Sequence, residues 1–202
     1  MKDEFDILKE IGSISAAHGS TALSEILGRR INLCIPSVDI IPCGEMPKTI
    51  NVEGTIISLQ TQILTGLRGK VFFMLEEKSA YKLIDLCYKP TEKIKQGSIF
   101  TEMAMSLIKE VGNVVISAYI NSFGYFLKKL IIPSLPVLVN APFLEVMKLA
   151  VGTERDDYVL AIESIFEEPQ EKIKGNFWLL LSHQAAEDIK NACKKYLMDL
   201  EK

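Results

Sequence analysis

The chain has 202 residues, 48% of them hydrophobic and 24% charged, with a formal net charge of −3 and a pI near 5.6. That length can bury a core of its own without covalent staples. The slightly acidic balance gives no electrostatic ground for nucleic acid or an anionic membrane surface as a partner.

In chain order, Met1-Lys2-Asp3-Glu4 is too polar for a secretory signal. No uninterrupted apolar run approaches the ~20 residues that cross a bilayer. A cytoplasmic location is therefore expected. Residues 3–28 carry Ile7, Leu8, Ile11 and Ile14 at helical spacing and stop at Gly28, a C-terminal helix signal. Strand-like runs follow at Ile31–Ile35, Thr55–Leu64 and Val71–Leu75, then a helix over Ser79–Tyr88. The polar stretch Lys89–Gly97, with Pro90, reads as a linker. Beyond it the pattern predicts a helix over about 100–127, strands near 137–150, 157–166 and 176–182, and a closing helix over 184–200.

Four cysteines, Cys34, Cys43, Cys87 and Cys193, form no C-x-x-C pair, and only His18 and His183 could join them. That argues against a zinc site and for isolated reduced thiols in apolar surroundings. His18, Trp178 and Cys193 read as core or half-buried positions rather than functional ones.

The most informative feature is an internal repeat. Leu8-Lys9-Glu10-Ile11-Gly12-Ser13 returns 100 residues later as Ile108-Lys109-Glu110-Val111-Gly112-Asn113. Gly69–Leu75 is echoed by Gly175–Leu181, now 106 residues on. Short connections between consecutive strands favour antiparallel pairing. The expected fold is therefore α+β: a pseudo-two-fold duplicated module of helix, antiparallel strands and helix sharing one core. It would form a single domain over 1–202, made of repeats 1–90 and 97–202.

At 100° per residue, Leu107, Ile108, Val111, Val114, Val115 and Ala118 share one broad face of the helix around Glu110. Ser106, Glu110, Asn113 and Ser117 form a narrow stripe opposite, spaced four, three and four. Burying the apolar face turns the stripe outward. Gly112 reads as lying beside the stripe, where its lack of a side chain would let another protein's backbone come close.

Ser106-x-x-x-Glu110-x-x-Asn113, with Pro136 23 residues on, resembles the signature of the CheC, CheX and FliY phosphatases: Asp or Ser, Glu, Asn, then a distant Pro. The first copy shows Asp6-x-x-x-Glu10-x-x-Ser13, with Pro36 again 23 residues on. Position 13 departs from the pattern, because the family has Asn there.

The resemblance implies an aspartyl-phosphate protein phosphatase acting on the chemotaxis response regulator CheY. The regulator would bring its own Mg²⁺, so the phosphatase would need neither cofactor nor metal. Asn113 would orient the attacking water and Glu110 would dock the regulator. Glu10 and Ser13 would form a degenerate first site, with Asp6, Pro36, Ser106 and Pro136 as supporting positions. The receptor deamidase CheD is a further implied partner; nucleic acid and membrane are not. Two alternatives remain open: a non-catalytic adaptor binding CheY or CheD, and a flagellar switch scaffold like the middle domain of FliM.

Overall fold

The computed structural model describes residues 4–34, 37–42, 54–88, 102–151 and 158–200. Helix α1 (Glu4–Leu27) is followed by strands β1 (Asn32–Leu33), β2 (Ser37–Pro42), β3 (Thr55–Thr65) and β4 (Gly69–Glu76), then α2 (Glu77–Tyr88). Helix α3 (Glu102–Leu127) opens the second half. Strands β5 (Ile132–Pro133) and β6 (Val137–Pro142), helix α4 (Phe143–Val151), strands β7 (Tyr158–Glu168) and β8 (Ile173–Ser182), and α5 (His183–Leu200) complete it. The expected linker at 89–97 lies outside the described residues.

The fold is α+β on an eight-stranded antiparallel sheet. Strands β7, β8, β4 and β3 are neighbours in that order, with β1 and β2 on the outer side of β7 and β5 and β6 on the outer side of β3. Strands of each half thus border the other: β2 runs beside β7, β6 beside β3, and β4 beside β8 with Phe72 opposite Trp178.

One face of the sheet, carrying Leu59, Val71, Phe73, Phe177 and Leu179, is buried with residues of α1, α2, α3 and α5. Phe73 stacks on Phe166, and Tyr119 of α3 stacks on Phe177, with ring centroids 5.4 and 5.8 Å apart. On the other face Ile56, Phe72, Met74, Trp178 and Leu180 pack with Phe143, Val146 and Met147 of α4. This two-sided burial explains why β4 and β8 are apolar almost continuously rather than alternately.

α3 is the described helix that is long and apolar enough to cross a membrane. Its apolar residues are instead those that cover the sheet, with Ile108, Val111, Val115 and Ile116 all buried.

The paired long helices end alike. Gly28 adopts φ +62° after α1, and the Arg29 N–H bonds the Ser24 carbonyl. After α3, Lys128 adopts φ 51° and the Lys129 N–H bonds the Gly124 carbonyl at 3.0 Å. Both are left-handed helix caps, one built on the residue suited to it and one not. Ser182 caps α5, its Oγ accepting from the Ala185 N–H at 3.2 Å.

Three sequence expectations need correction. Residues 143–151 form α4, not an extension of a strand near 137–150. Phe143, Val146 and Met147 recur at helical spacing and bury one side against the sheet. His18 is exposed: its counterpart Ala118 is only half-buried, so an imidazole at that level reaches water. Cys34 is also exposed, because it follows the short edge strand β1; Cys87 is half-buried, and burial raises its thiol pKa. Trp178 is buried as expected. Cys43 and the side chain of Cys193 lie outside the described residues.

Candidate functional site

The two motif helices pack side by side on one sheet face. An added Cβ at Gly19 of α1 would lie 3.5 Å from the Val115 carbonyl oxygen and 3.6 Å from Tyr119 Cβ of α3, ordinary van der Waals contact. α1 therefore meets the Val115 side of α3. Gly112 points down, at Leu59 of β3 and Phe73 of β4. At 100° per residue, Asn113, Ser106, Ser117 and Glu110 turn away from Gly112 in the sense opposite to Val115. The stripe consequently lies on the flank of α3 remote from α1, toward β6, the outer neighbour of β3.

On that flank Ser106, Glu110 and Asn113 are exposed and Ser117 is half-buried. Neither Glu110 nor Asn113 makes a hydrogen bond or ion pair among the described residues. A free carboxylate and a free carboxamide thus stand one turn apart, ready for an external partner. Pro136, half-buried, immediately precedes β6. In α1, Asp6 and Glu10 are exposed and Ser13 is half-buried. Pro36 lies outside the described residues.

Two readings of the helix surface change. Gly112 is buried, not part of the outer surface: a Cβ there would stand 2.5 Å from Leu59 Cδ2 and 3.2 Å from Phe73 Cδ1. Its missing side chain seats α3 on its own sheet, leaving no place there for a partner's backbone. Val114, expected on the buried face, is 40% exposed and borders Asn113. Among the described residues no three His, Cys, Asp or Glu side chains cluster to hold a metal ion.

Away from the helices, Glu163 is a buried carboxylate. It lies opposite Trp178 and accepts a hydrogen bond from Asn176 Nδ2. Burial raises its pKa, the Asn176 bond opposes that rise, and the charge of Asp39 adds to it. Sequence reading passed over this group, since nothing local distinguishes Glu163 from Glu167 and Glu168 further along the same strand.

No family model matches the chain. The CheY-P phosphatase CheC of Bacillus subtilis (strain 168) is 23% identical over 194 residues, covering 93% of this chain and 92% of that protein. The flagellar motor switch phosphatase FliY of the same organism is 26% identical over 190 residues, 92% of this chain but 48% of FliY, so the chain spans about half of that relative. Among solved structures, Thermotoga maritima FliY matches with a TM-score of 0.76 at 21% identity, covering 96% of this chain and 98% of that one. CheX in the CheX-CheY-BeF3-Mg complex from Borrelia burgdorferi gives a TM-score of 0.58 at 12% identity, over 86% of this chain and 97% of that one. Two curated sequence relatives and a shared fold, each matched over nearly the whole chain, make this protein similar to CheC and FliY, which is consistent with a member of the CheC/CheX/FliY family.

Proposed function

We propose that this protein is a phosphatase for the aspartyl phosphate of a CheY-like response regulator, with its working site at Glu110 and Asn113. The observation that carries the reading is the unengaged Glu110–Asn113 pair on the exposed flank of α3. Its weight comes from similarity, because both curated relatives are phosphatases by name, one of them of CheY-P.

An acyl phosphate has a good leaving group. Water attacks phosphorus in line, the bond to the aspartyl oxygen breaks, and the products are the free carboxylate and inorganic phosphate, with the water's proton leaving on phosphate or to solvent. Such a reaction depends on positioning and charge neutralisation more than on covalent chemistry. The Asn113 carboxamide can accept from the water and donate to a phosphoryl oxygen. It is not a useful base, so its part is orientation. A carboxylate set against phosphoryl oxygens would repel them, so Glu110 is assigned to pairing with a cationic group of the regulator. The Mg²⁺ belongs to the regulator, and the phosphatase supplies no cofactor of its own. The cytoplasm is the compartment this substrate implies.

We also read the chain as one domain over 1–202 made of two copies, 1–90 and 97–202. Exchanging β1–β4 with β5–β8 reverses the strand order onto itself. β1 and β2 begin and end 100 residues before β5 and β6. In this reading Glu10 with Ser13 is the degenerate site. Ser13, which lacks the carboxamide's paired donor and acceptor, favours a second role for the first copy: docking without turnover, of a regulator or of CheD.

The test is phosphate release from a CheY-like regulator phosphorylated with acetyl phosphate, with wild type and Asn113→Ala. The expected loss is about 3 kcal/mol of transition-state stabilisation, or roughly a hundredfold in rate. Near wild-type turnover in the variant would remove Asn113 from the mechanism. Glu110→Gln should instead raise KM, with a defect that shrinks as salt screens the wild-type pair.

A further inference from the structure

Lys109 and Glu110 are neighbours in sequence and stand on either side of Asn113. Measured around α3 from Gly112, which points at the sheet, Lys109 is turned about 60°, Asn113 about 100° and Glu110 about 160°, all in one sense. Adjacent helix positions do not face each other, so the ammonium group and the carboxylate are not set to pair. Like Glu110 and Asn113, Lys109 is exposed and makes no hydrogen bond or ion pair among the described residues.

The angle of Lys109 alone does not account for its exposure. Ile116 and Ile120, turned about 40° and 80° in the same sense, are buried. Glu102, at about 80° and at the start of the helix, is exposed as Lys109 is. This flank of α3 is therefore covered beyond Asn113 and open from Asn113 back toward the N-terminus. Helix side chains tilt toward the N-terminus, so the Asn113 carboxamide leans over the turn that carries Lys109 and Glu110. A group bound at that carboxamide meets a cation on one side and an anion on the other.

The arrangement bears on the charge of the substrate. A phosphoryl group at Asn113 is repelled by Glu110, about 4.5 Å away along the helix axis. Lys109, about 6 Å away along the axis, carries the opposite charge, and its flexible stem can bring N–H donors to a phosphoryl oxygen. Without Lys109 the site would set an uncompensated carboxylate beside the reacting phosphate.

We propose that Lys109 is a further catalytic residue, its ammonium group donating to a phosphoryl oxygen held at Asn113 and offsetting the Glu110 charge on the other side. This rests on the proposed function. The bonds made and broken are unchanged: the water oxygen joins phosphorus, the aspartyl oxygen leaves, and the ammonium group donates hydrogen bonds without giving up a proton. α1 supplies a comparison within the same chain. Lys9 and Glu10 are exposed there in the same order, with half-buried Ser13 in place of the carboxamide. Lys9→Gln and Lys109→Gln thus remove the same charge from corresponding helix positions, and only the second removes it beside Asn113.

The test is phosphate release from a CheY-like regulator phosphorylated with acetyl phosphate, for wild type, Lys109→Gln, Lys109→Arg and Lys9→Gln, with circular dichroism checking the fold. Lys109→Gln is expected to lower kcat/KM about tenfold, less than the roughly hundredfold of a buried donor, because water and salt screen an exposed lysine. Lys109→Arg keeps charge and donors and should stay within about threefold of wild type. Lys9→Gln should match wild type. Binding separates a phosphate contact from a merely structural one: Lys109→Gln should weaken binding of the regulator carrying beryllofluoride, a phosphoryl mimic, and leave binding of the unmodified regulator unchanged. Unaltered kcat/KM in Lys109→Gln, with Asn113→Ala still impaired, overturns the Lys109 contact and leaves the functional reading standing. Equal losses in Lys9→Gln and Lys109→Gln also overturn it, since net charge then accounts for both. A wild type that does not hydrolyse the phosphorylated regulator ends the functional reading and this inference with it.

Discussion

A β-carbon on Gly112 would stand 2.5 Å from Cδ2 of Leu59, a separation that packed side chains do not tolerate. Leu59 is fully buried and Phe73 stands 3.2 Å away on the other side, so neither yields freely. Gly112→Ala should therefore destabilise the protein by about 1–3 kcal/mol from overpacking, even though alanine gains about 1 kcal/mol in helix propensity. The added volume lifts α3 at the residue preceding Asn113, so activity should fall as well. Leu59→Val in the same chain should restore part of both. Denaturant melts of the single and double variants measure it, and an unaffected Gly112→Ala protein would contradict the close seating of α3.

Lys128 caps α3 at φ 51° where Gly28 caps α1 at φ 62°. The left-handed conformation costs a residue with a β-carbon about 1–2 kcal/mol. Lys128 is exposed and its side chain has no partner among the described residues. Lys128→Gly should then raise stability by about 0.5–1 kcal/mol, after the greater freedom of glycine in the unfolded chain is set against the relief. For a chain of this size that is roughly 1–4 °C in Tm. A lower Tm would mean that the Lys128 side chain contributes contacts to the native state.

Glu163 makes stability depend on pH in a defined direction. Its carboxyl is held above the ordinary value of 4.5 by burial first, with the Asn176 hydrogen bond opposing and Asp39 reinforcing. The folded state then holds this proton more tightly than the unfolded state. Stability is greatest below the ordinary glutamate range and declines as pH rises through it toward the folded value. Glu163→Gln can keep a hydrogen bond to Asn176 and removes the buried charge. Its Tm should exceed that of the wild type at pH 7, and the advantage should shrink below about pH 4. A difference that stays flat between pH 3 and 7 would remove Glu163 as the source.

The long helices were legible because 24 and 26 residues of helical periodicity leave little ambiguity. The exposed Glu110 and Asn113 followed from the same pattern. What the pattern could not carry was the partner of each helix face. Gly112 and Asn113 are neighbours 100° apart, and a wheel cannot say that the sheet comes up under one and not the other. Val114 was assigned to the core for the same reason: α3 is covered on two sides, by α1 and by β3 and β4, and not around its whole apolar arc. β2 escaped notice because Ser37-Val38-Asp39-Ile40-Ile41-Pro42 is an edge strand, mostly exposed and ending in proline. Its pairing with β7, more than 115 residues away, leaves no local trace. α4 was missed because nine residues give only about two and a half turns of periodicity, and the run is apolar enough to pass for a strand.

Ser13 bears directly on the proposed division of work between two copies. It is half-buried on α1, with Glu10 exposed one turn earlier, as Glu110 and Asn113 are spaced on α3. If the first copy is silent only for want of a carboxamide, Ser13→Ala should barely change turnover and Ser13→Asn should raise it. The change is at a partly exposed helix position, so stability should shift by no more than about 0.5 kcal/mol. The discriminating measurement places Ser13→Asn in the Asn113→Ala background, where recovered phosphate release must come from α1. Recovery would mean that α1 presents Glu10 and position 13 as α3 presents Glu110 and Asn113. No recovery, together with a crippling effect of Ser13→Ala alone, would mean that the serine acts in its own right and that the chain does not rest on a single working site.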